Sequence, residues 1–308
     1  MTLEELNQSI VTGEINEVIR VAETRQVKRL GQIADEICGR DGKRLVLLAG
    51  ASSAGKTTTA MRLSTQLRVN GRKVLHLSTD DYFVGDDVNP RDENGKLDYE
   101  HVECVDIARL ARDINRLMCG EEIVERRYDF VRHEGYDSGK TLSLPADGMV
   151  VLEGIHALNP RLTEGVDEAV KYRMFLEPKP DLDLFAGLCP RPSDARLLRR
   201  LVRDNHFRKM SPVTTFGMWP NVLKGEEKWI NPFRPFADVE FNSYLSYEMA
   251  VLKPYVGGLL TRARLELGDQ PIILNLERML EPVAVVGSDV VPGNSILRET
   301  IGGSQLDY

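Results

Sequence analysis

The apolar positions change period along the chain, and the changes predict its elements. Leu3, Leu6 and Ile10, then Ile15, Val18, Ile19 and Ala22, then Leu30, Ile33 and Ile37 keep helical spacing, so residues 3–39 are expected to be helical. Gly39 and Gly42 close that part. The runs RLVLLAG (44–50), KVLHLS (73–78), MVVLEG (149–154) and YRMFLE (172–177) are short and apolar throughout, as strands buried on both faces are. Helices are expected over 56–70, 103–118, 194–208 and 246–267. Another is expected after Pro271, where Ile272, Ile273, Leu276, Met279 and Leu280 form a stripe. EEIVERRYDF (121–130) and KTLSL (140–144) have the look of a side hairpin, and ADVEF (237–241) of a last short strand. Residues 79–100 are turn-rich, 211–236 are expected to be loop-rich, and the Gly- and Ser-rich 287–308 are expected to cover the surface. Strands alternating with helices define an α/β chain, a three-layer sandwich around a mainly parallel sheet. The expected division is a helical extension (1–40), a main domain (41–268) and a C-terminal helix and tail (269–308).

Composition narrows the class. A net charge of −7 argues against a nucleic-acid partner, and no apolar run is long enough for a membrane span. Cys38, Cys104, Cys119 and Cys189 are scattered without metal-site spacing, which fits reduced thiols, and the N-terminus lacks a signal-peptide pattern; a cytoplasmic location is expected. Whether copies of the chain associate is left open. Residues 191–210 run against the acidic balance, with six Arg and one Lys against Asp194 and Asp204. A local basic block in an acidic chain suggests a bound anion of limited size.

The strongest chemical signal is GASSAGKT (50–57), which matches G-x-x-x-x-G-K-[ST] between a buried strand and a helix. Gly50, Ala51, Ser52, Ser53, Ala54, Gly55, Lys56, Thr57 and Thr58 would form the cradle of a nucleoside triphosphate. Glycines let the backbone N–H groups turn toward phosphate oxygens, and the helix N-terminus adds its own. Lys56 would sit on the β- and γ-phosphates, and the Thr57 hydroxyl on Mg²⁺. A chance Gly/Ser turn would not need that context. Asp80 and Asp81 follow the second strand, where open parallel sheets bind ligands. Either could take a proton from an attacking hydroxyl, or merely cap a turn. Glu153 ends an apolar strand beside Gly154, as the Walker B acid that helps hold Mg²⁺ does, unless it pairs with a lysine instead. No N-K-x-D tetrapeptide marks a guanine switch.

In PSDARLLRRLVRDNHFRK (192–209), Arg196, Arg199, Arg200 and Arg203 share one helix face, with Leu197, Leu198 and Leu201 opposite and no acid between Arg196 and Arg203. Such a stripe suits phosphate, as a lid closing over a moving phosphoryl group. The competing expectation is a solvated face, or ion pairs to the acidic 79–106 region.

GASSAGKTTTA, STDDYF, RRYDFVRH, VVLEGIHAL and RLLRRLVRD, in that order over residues 43–243, resemble the uridine kinase and phosphoribulokinase family of P-loop kinases. GEEKWINPF, ADVEFNS and NSILRETIGGS resemble a branch whose longer members carry an N-terminal domain related to threonyl-tRNA synthetase; residues 1–40 would then be a linker. The resemblance implies an ATP- and Mg²⁺-dependent transfer to a small molecule, a nucleoside such as uridine or cytidine, with Asp80 as base. It also implies that Glu100 clamps the ribose diol, where the family has Asp, and that Tyr128 and His133 meet the base. Arg200, Arg203 and Arg208 match lid arginines, while Met210 stands where the family has another. Another acceptor on the same machinery, such as a phosphorylated sugar or a pantothenate-like compound, and a non-catalytic ATP-binding regulator are the alternatives.

Overall fold

The structure is a computed structural model that describes residues 1–182 and 190–307. Cys189 lies outside the described residues; Cys38, Cys104 and Cys119 are free thiols. The chain runs α1 (Leu3–Val11), α2 (Ile15–Gly39), β1 (Leu45–Ala49), α3 (Lys56–Val69), β2 (Val74–Ser78), α4 (Ile107–Met118), β3 (Ile123–Asp129), β4 (Glu134–Leu142), β5 (Met149–Glu153) and β6 (Lys171–Glu177). It continues with α5 (Pro192–Phe207), α6 (Pro212–Gly225), β7 (Val239–Asn242), α7 (Glu248–Leu267), α8 (Pro271–Leu280) and α9 (Arg298–Ile301).

Five strands form one parallel sheet in the order β2-β5-β1-β6-β7, and β3 and β4 pair antiparallel beside it. Strand period explains the layers. Leu45 and Leu47 of β1 point to one face, where they join Leu110, Ile114 and Leu117 of α4. Val46 and Leu48 point to the other, where α2 and α3 supply Ile33, Ile37, Leu63 and Leu67. This is the expected three-layer α/β sandwich. The register sets Leu48, Glu153 and Ser78 abreast at the C-terminal edge of three neighbouring strands.

Five expectations about elements change, the first being the hairpin's second strand, which runs Glu134–Leu142 rather than 140–144. The helix over 3–39 is two helices, because Gly13 takes a left-handed φ of 80° after α1 ends. The helix expected over 103–118 starts only at Ile107, after a 3₁₀ turn over Val102–Cys104. Residues 211–236 are not loop: α6 passes into a π-helical turn (Glu226–Ile230) and a 3₁₀ turn (Asn231–Phe236). Pro212 sits in the first turn of α6, where it costs no hydrogen bond, and Ser211 caps it by accepting from the Thr214 N–H. Prolines and aromatics gave this stretch its loop-like look, yet Phe216, Trp219 and Val222 are buried. Finally, the 287–308 tail is more than a surface cover: Val291, Ile296, Leu297 and Ile301 are buried. Leu297 and Ile301 share a core with Leu3 and Leu6 of α1 and with α5, α7 and α8.

Candidate functional site

The cradle forms because its backbone has no room for anything else. A Cβ on Gly50 would lie 2.4 Å from the Leu176 carbonyl oxygen of β6. Ser53 and Gly55 have φ of 62° and 90°, which curl the loop back to the start of α3. Gly55 caps α3 without a side chain, so no side chain competes there for the first-turn N–H groups, the arrangement that binds anions. Lys56 bends over the loop, its Nζ 3.4 Å from the Ala51 carbonyl.

Two carboxylates flank it. Glu153 accepts from the Thr57 hydroxyl (3.2 Å) and the Ser78 hydroxyl (2.9 Å). It is buried, and burial pushes its carboxyl up to about 7; the nearby Asp80 adds to the rise and Lys56 opposes it. Gly154 behind it is obligatory, since a Cβ would collide with the Thr79 hydroxyl at 1.8 Å. Asp80 lies in a 3₁₀ turn (Thr79–Tyr82) whose N-cap, Ser78, accepts from the Asp80 N–H. Asp81 is turned the other way, 3.6 Å from Arg127 of β3, and burial raises its carboxyl to about 6. Among the described residues no group of three or more His, Cys, Asp or Glu could hold a metal by itself. A hydroxyl and one buried carboxylate, with phosphate oxygens of a bound nucleotide, would fit Mg²⁺, which keeps most of its waters.

The residues expected to meet the acceptor divide into two groups. Glu100 faces the cradle: burial raises its carboxyl to about 7, against the pull of Arg200 and Lys56, and its Oε2 has no hydrogen-bond partner. Tyr128 is buried, edge-on to Phe83 and Phe130 with centroids 5.6 and 5.0 Å away, and its hydroxyl has no partner among the described residues. His133 stands apart. It is exposed at the hairpin turn with φ of 57°, 3.3 Å from both Asp86 and the Tyr99 hydroxyl.

The arginine helix differs from its expected open stripe. Arg196, Arg199 and Arg200 are buried. Arg199 makes a two-pronged pair with Glu248 and donates to the Ala54 carbonyl (3.2 Å), which the Ser243 hydroxyl also reaches (2.6 Å). Arg196 pairs with Glu226 and donates to the Ser52 carbonyl, and Arg200 donates to the Ser52 hydroxyl (2.9 Å). Asp204, fully buried, gathers Arg200, Arg203 and Arg208 at 3.2, 2.8 and 3.8 Å. The acids that pair these arginines are therefore Glu226, Glu248 and Asp204, not the 79–106 segment. Sequence reasoning passed over Asp204, although it stands four residues from both Arg200 and Arg208, a spacing at which helical ion pairs form. Glu248 and Ser243 gave no local signal. Nor did His156, which is buried near the backbone of Glu100 and Trp229 and driven down to about 4 by burial.

A glycine-curled cradle with its lysine, at the edge of a parallel sheet and beside two strand-end carboxylates, defines a P-loop phosphotransferase. The chain belongs to the Phosphoribulokinase / Uridine kinase family, whose pattern matches residues 45–249. It is 26% identical over 196 residues to a uridine kinase of Lactobacillus helveticus, covering 63% of this chain and 84% of that protein. It is 29% identical over 193 residues to a uridine kinase of Deinococcus deserti, covering 62% and 84%. A solved structure described as a possible uridine kinase from Bacillus stearothermophilus superposes with a TM-score of 0.49 at 19% identity, over 71% of this chain and all of that one. The protein is thus an ATP-binding kinase with an alcohol acceptor, a nucleoside or another small metabolite. Among the described residues no helix is long and apolar enough to cross a membrane.

Proposed function

We propose that the protein transfers the γ-phosphate of ATP to the 5′-hydroxyl of a pyrimidine ribonucleoside, uridine or cytidine. The observation that carries this reading is that the charge of Lys56 acts on both Glu153 and Glu100, with Asp80 acting on Glu153. Those three acids have separate tasks. Asp80, whose carboxylate no side chain among the described residues claims in a hydrogen bond, accepts the proton of the attacking hydroxyl. Glu153 and the Thr57 hydroxyl, 3.2 Å apart, would hold Mg²⁺. The ion would neutralise charge on the β- and γ-phosphates. Glu100, with an oxygen lacking a partner, accepts from the ribose diol. Tyr128, with Phe83 and Phe130, offers an aromatic wall for the base; His133, held at the hairpin turn by Asp86 and Tyr99, would have to swing in to meet its edge. Lys56, Arg200 and Arg203 stabilise charge on the moving phosphoryl group, while Asp204 holds the two arginines in place. Arg208 stands close enough to Asp80 to feel its charge and completes the basic rim.

A phosphorylated sugar is the second reading. It is favoured by the same rim, since Arg200 acts on Glu100 and Arg208 on Asp80, and such cations could hold a phosphate on the acceptor. ADP release measured across nucleosides, sugar phosphates and pantothenate-like compounds tests both. Turnover of uridine or cytidine, with a 2′,3′-dideoxy analogue much poorer, supports the first. Turnover of a sugar phosphate alone overturns it. No turnover of any acceptor by folded protein would overturn the kinase assignment of this chain.

A further inference from the structure

The family pattern ends at residue 249, yet a segment far beyond it is seated on the cradle. Ile296 covers Gly55 so closely that a Cβ there would lie 2.7 Å from Ile296 Cγ2. One turn later, Glu299 Oε2 accepts from the Thr58 hydroxyl at 2.9 Å. The segment is held firmly. Leu297 and Ser295 are fully buried, and Arg298 ties it together by donating to the carbonyls of Ser288, Val291 and Gly302. Thr58 belongs to the first turn of α3; the first backbone bond closing that turn is made by the next N–H, Thr59 to Gly55. The carboxylate of Glu299 is therefore hydrogen-bonded to the first turn of α3, the turn whose N–H groups would face an anion. Its charge is also felt by Glu153 across the cradle.

We infer that Glu299 is a residue of the donor-nucleotide site and that it lowers the affinity of that site for nucleotide. This rests on the reading of residues 50–57 as a triphosphate cradle. A hydroxyl has one proton. With Glu299 as acceptor, the Thr58 proton is turned toward the tail and away from the cradle. A donor phosphate must take that proton over and bear a negative charge at its edge. The segment thereby keeps nucleotide binding loose, which favours release of ADP after transfer. The neighbouring Thr57 turns its hydroxyl to Glu153 instead, so the two hydroxyls of this turn have different acceptors.

The test is ADP and ATP affinity, measured by calorimetry with Mg²⁺ and no acceptor, on the full chain and on Glu299→Gln and Glu299→Ala. Gln removes the charge and can still accept from Thr58; Ala removes both. Both are expected to bind ADP more tightly than the parent, by about three- to ten-fold at low salt, with the gain shrinking as salt rises. Binding equal to or weaker than the parent's in both folded variants overturns the proposal. If Ala fails to fold, the Gln variant decides alone. If the parent itself binds neither nucleotide, the cradle reading falls first, and this proposal with it.

Discussion

At the scale of single residues, the site places several acids where burial works against their charge. Lys56 curls over the cradle, its Nζ on the Ala51 carbonyl. Lys56→Ala is expected to abolish transfer, a loss of about 3 kcal/mol or more of transition-state stabilisation, with the melting temperature little changed. Steady-state turnover and thermal melts check both halves. Asp80→Asn should bind ATP normally and slow transfer by about 10²- to 10⁴-fold, while Asp81→Asn, whose carboxylate faces Arg127, should do less. The opposite order in single-turnover rates would make Asp81 the base. Glu100 gives a pH signature. Its carboxyl rises from an ordinary 4.5 to about 7, so between those values the folded chain holds a proton that the unfolded chain has released. Stability therefore falls as pH rises through that window, by up to about 3 kcal/mol. Glu100→Gln removes the penalty. It should melt higher than the parent at pH 8 and equally near pH 4.5, and equal melts at both would refute the buried acid.

At the scale of elements, α5 is the one whose pattern and placement part company. Its arginines share a face, as spacing required, but that face is turned inward onto the cradle. Arg199 is fully buried against Glu248 and holds the Ala54 carbonyl, so it acts as a brace for the loop. Removing one partner of such a pair strands a buried charge, which costs about 3–5 kcal/mol. Arg199→Leu is therefore expected to lower denaturant stability by that order. Arg203→Gln, at a less buried site, should mainly reduce kcat. Equal destabilisation by both would make the whole helix structural. Helix α6 is the other surprise. It packs so tightly behind Glu100 that a Cβ on Gly225 would lie 2.3 Å from the Glu100 Cβ. Gly225, at the end of α6, thus backs directly onto Glu100. The prolines of α6 hid this, because a proline in the first helical turn and one at a loop look alike in sequence.

Across the whole molecule, the two ends of the chain meet. Asn7 of α1 donates to the Pro282 carbonyl (2.7 Å) and accepts from the Ala284 N–H (2.8 Å). Leu6, fully buried, joins the core that also holds Leu276 of α8 and Leu297 of the tail. Leu6→Ala should cost about 3 kcal/mol by urea unfolding, as a core position does and a loose linker would not. A change under about 0.5 kcal/mol, the range of a surface site, would show that α1 is not part of this core.

The sequence by itself determined the strands, most helices and the cradle. Apolar runs and helical stripes report burial that each element needs whatever its neighbours, and G-x-x-x-x-G-K-T is a local backbone geometry. The acids at strand ends were legible for the same reason, since a parallel sheet presents its strand ends on one edge. What only the tertiary structure decided is which charges meet. Glu248 finds Arg199 across 49 positions and Glu299 finds Thr58 across 241, distances at which no spacing rule operates. Ion pairs between remote elements are set by how helices pack on the sheet, and that packing is a property of the assembled core rather than of any window of sequence.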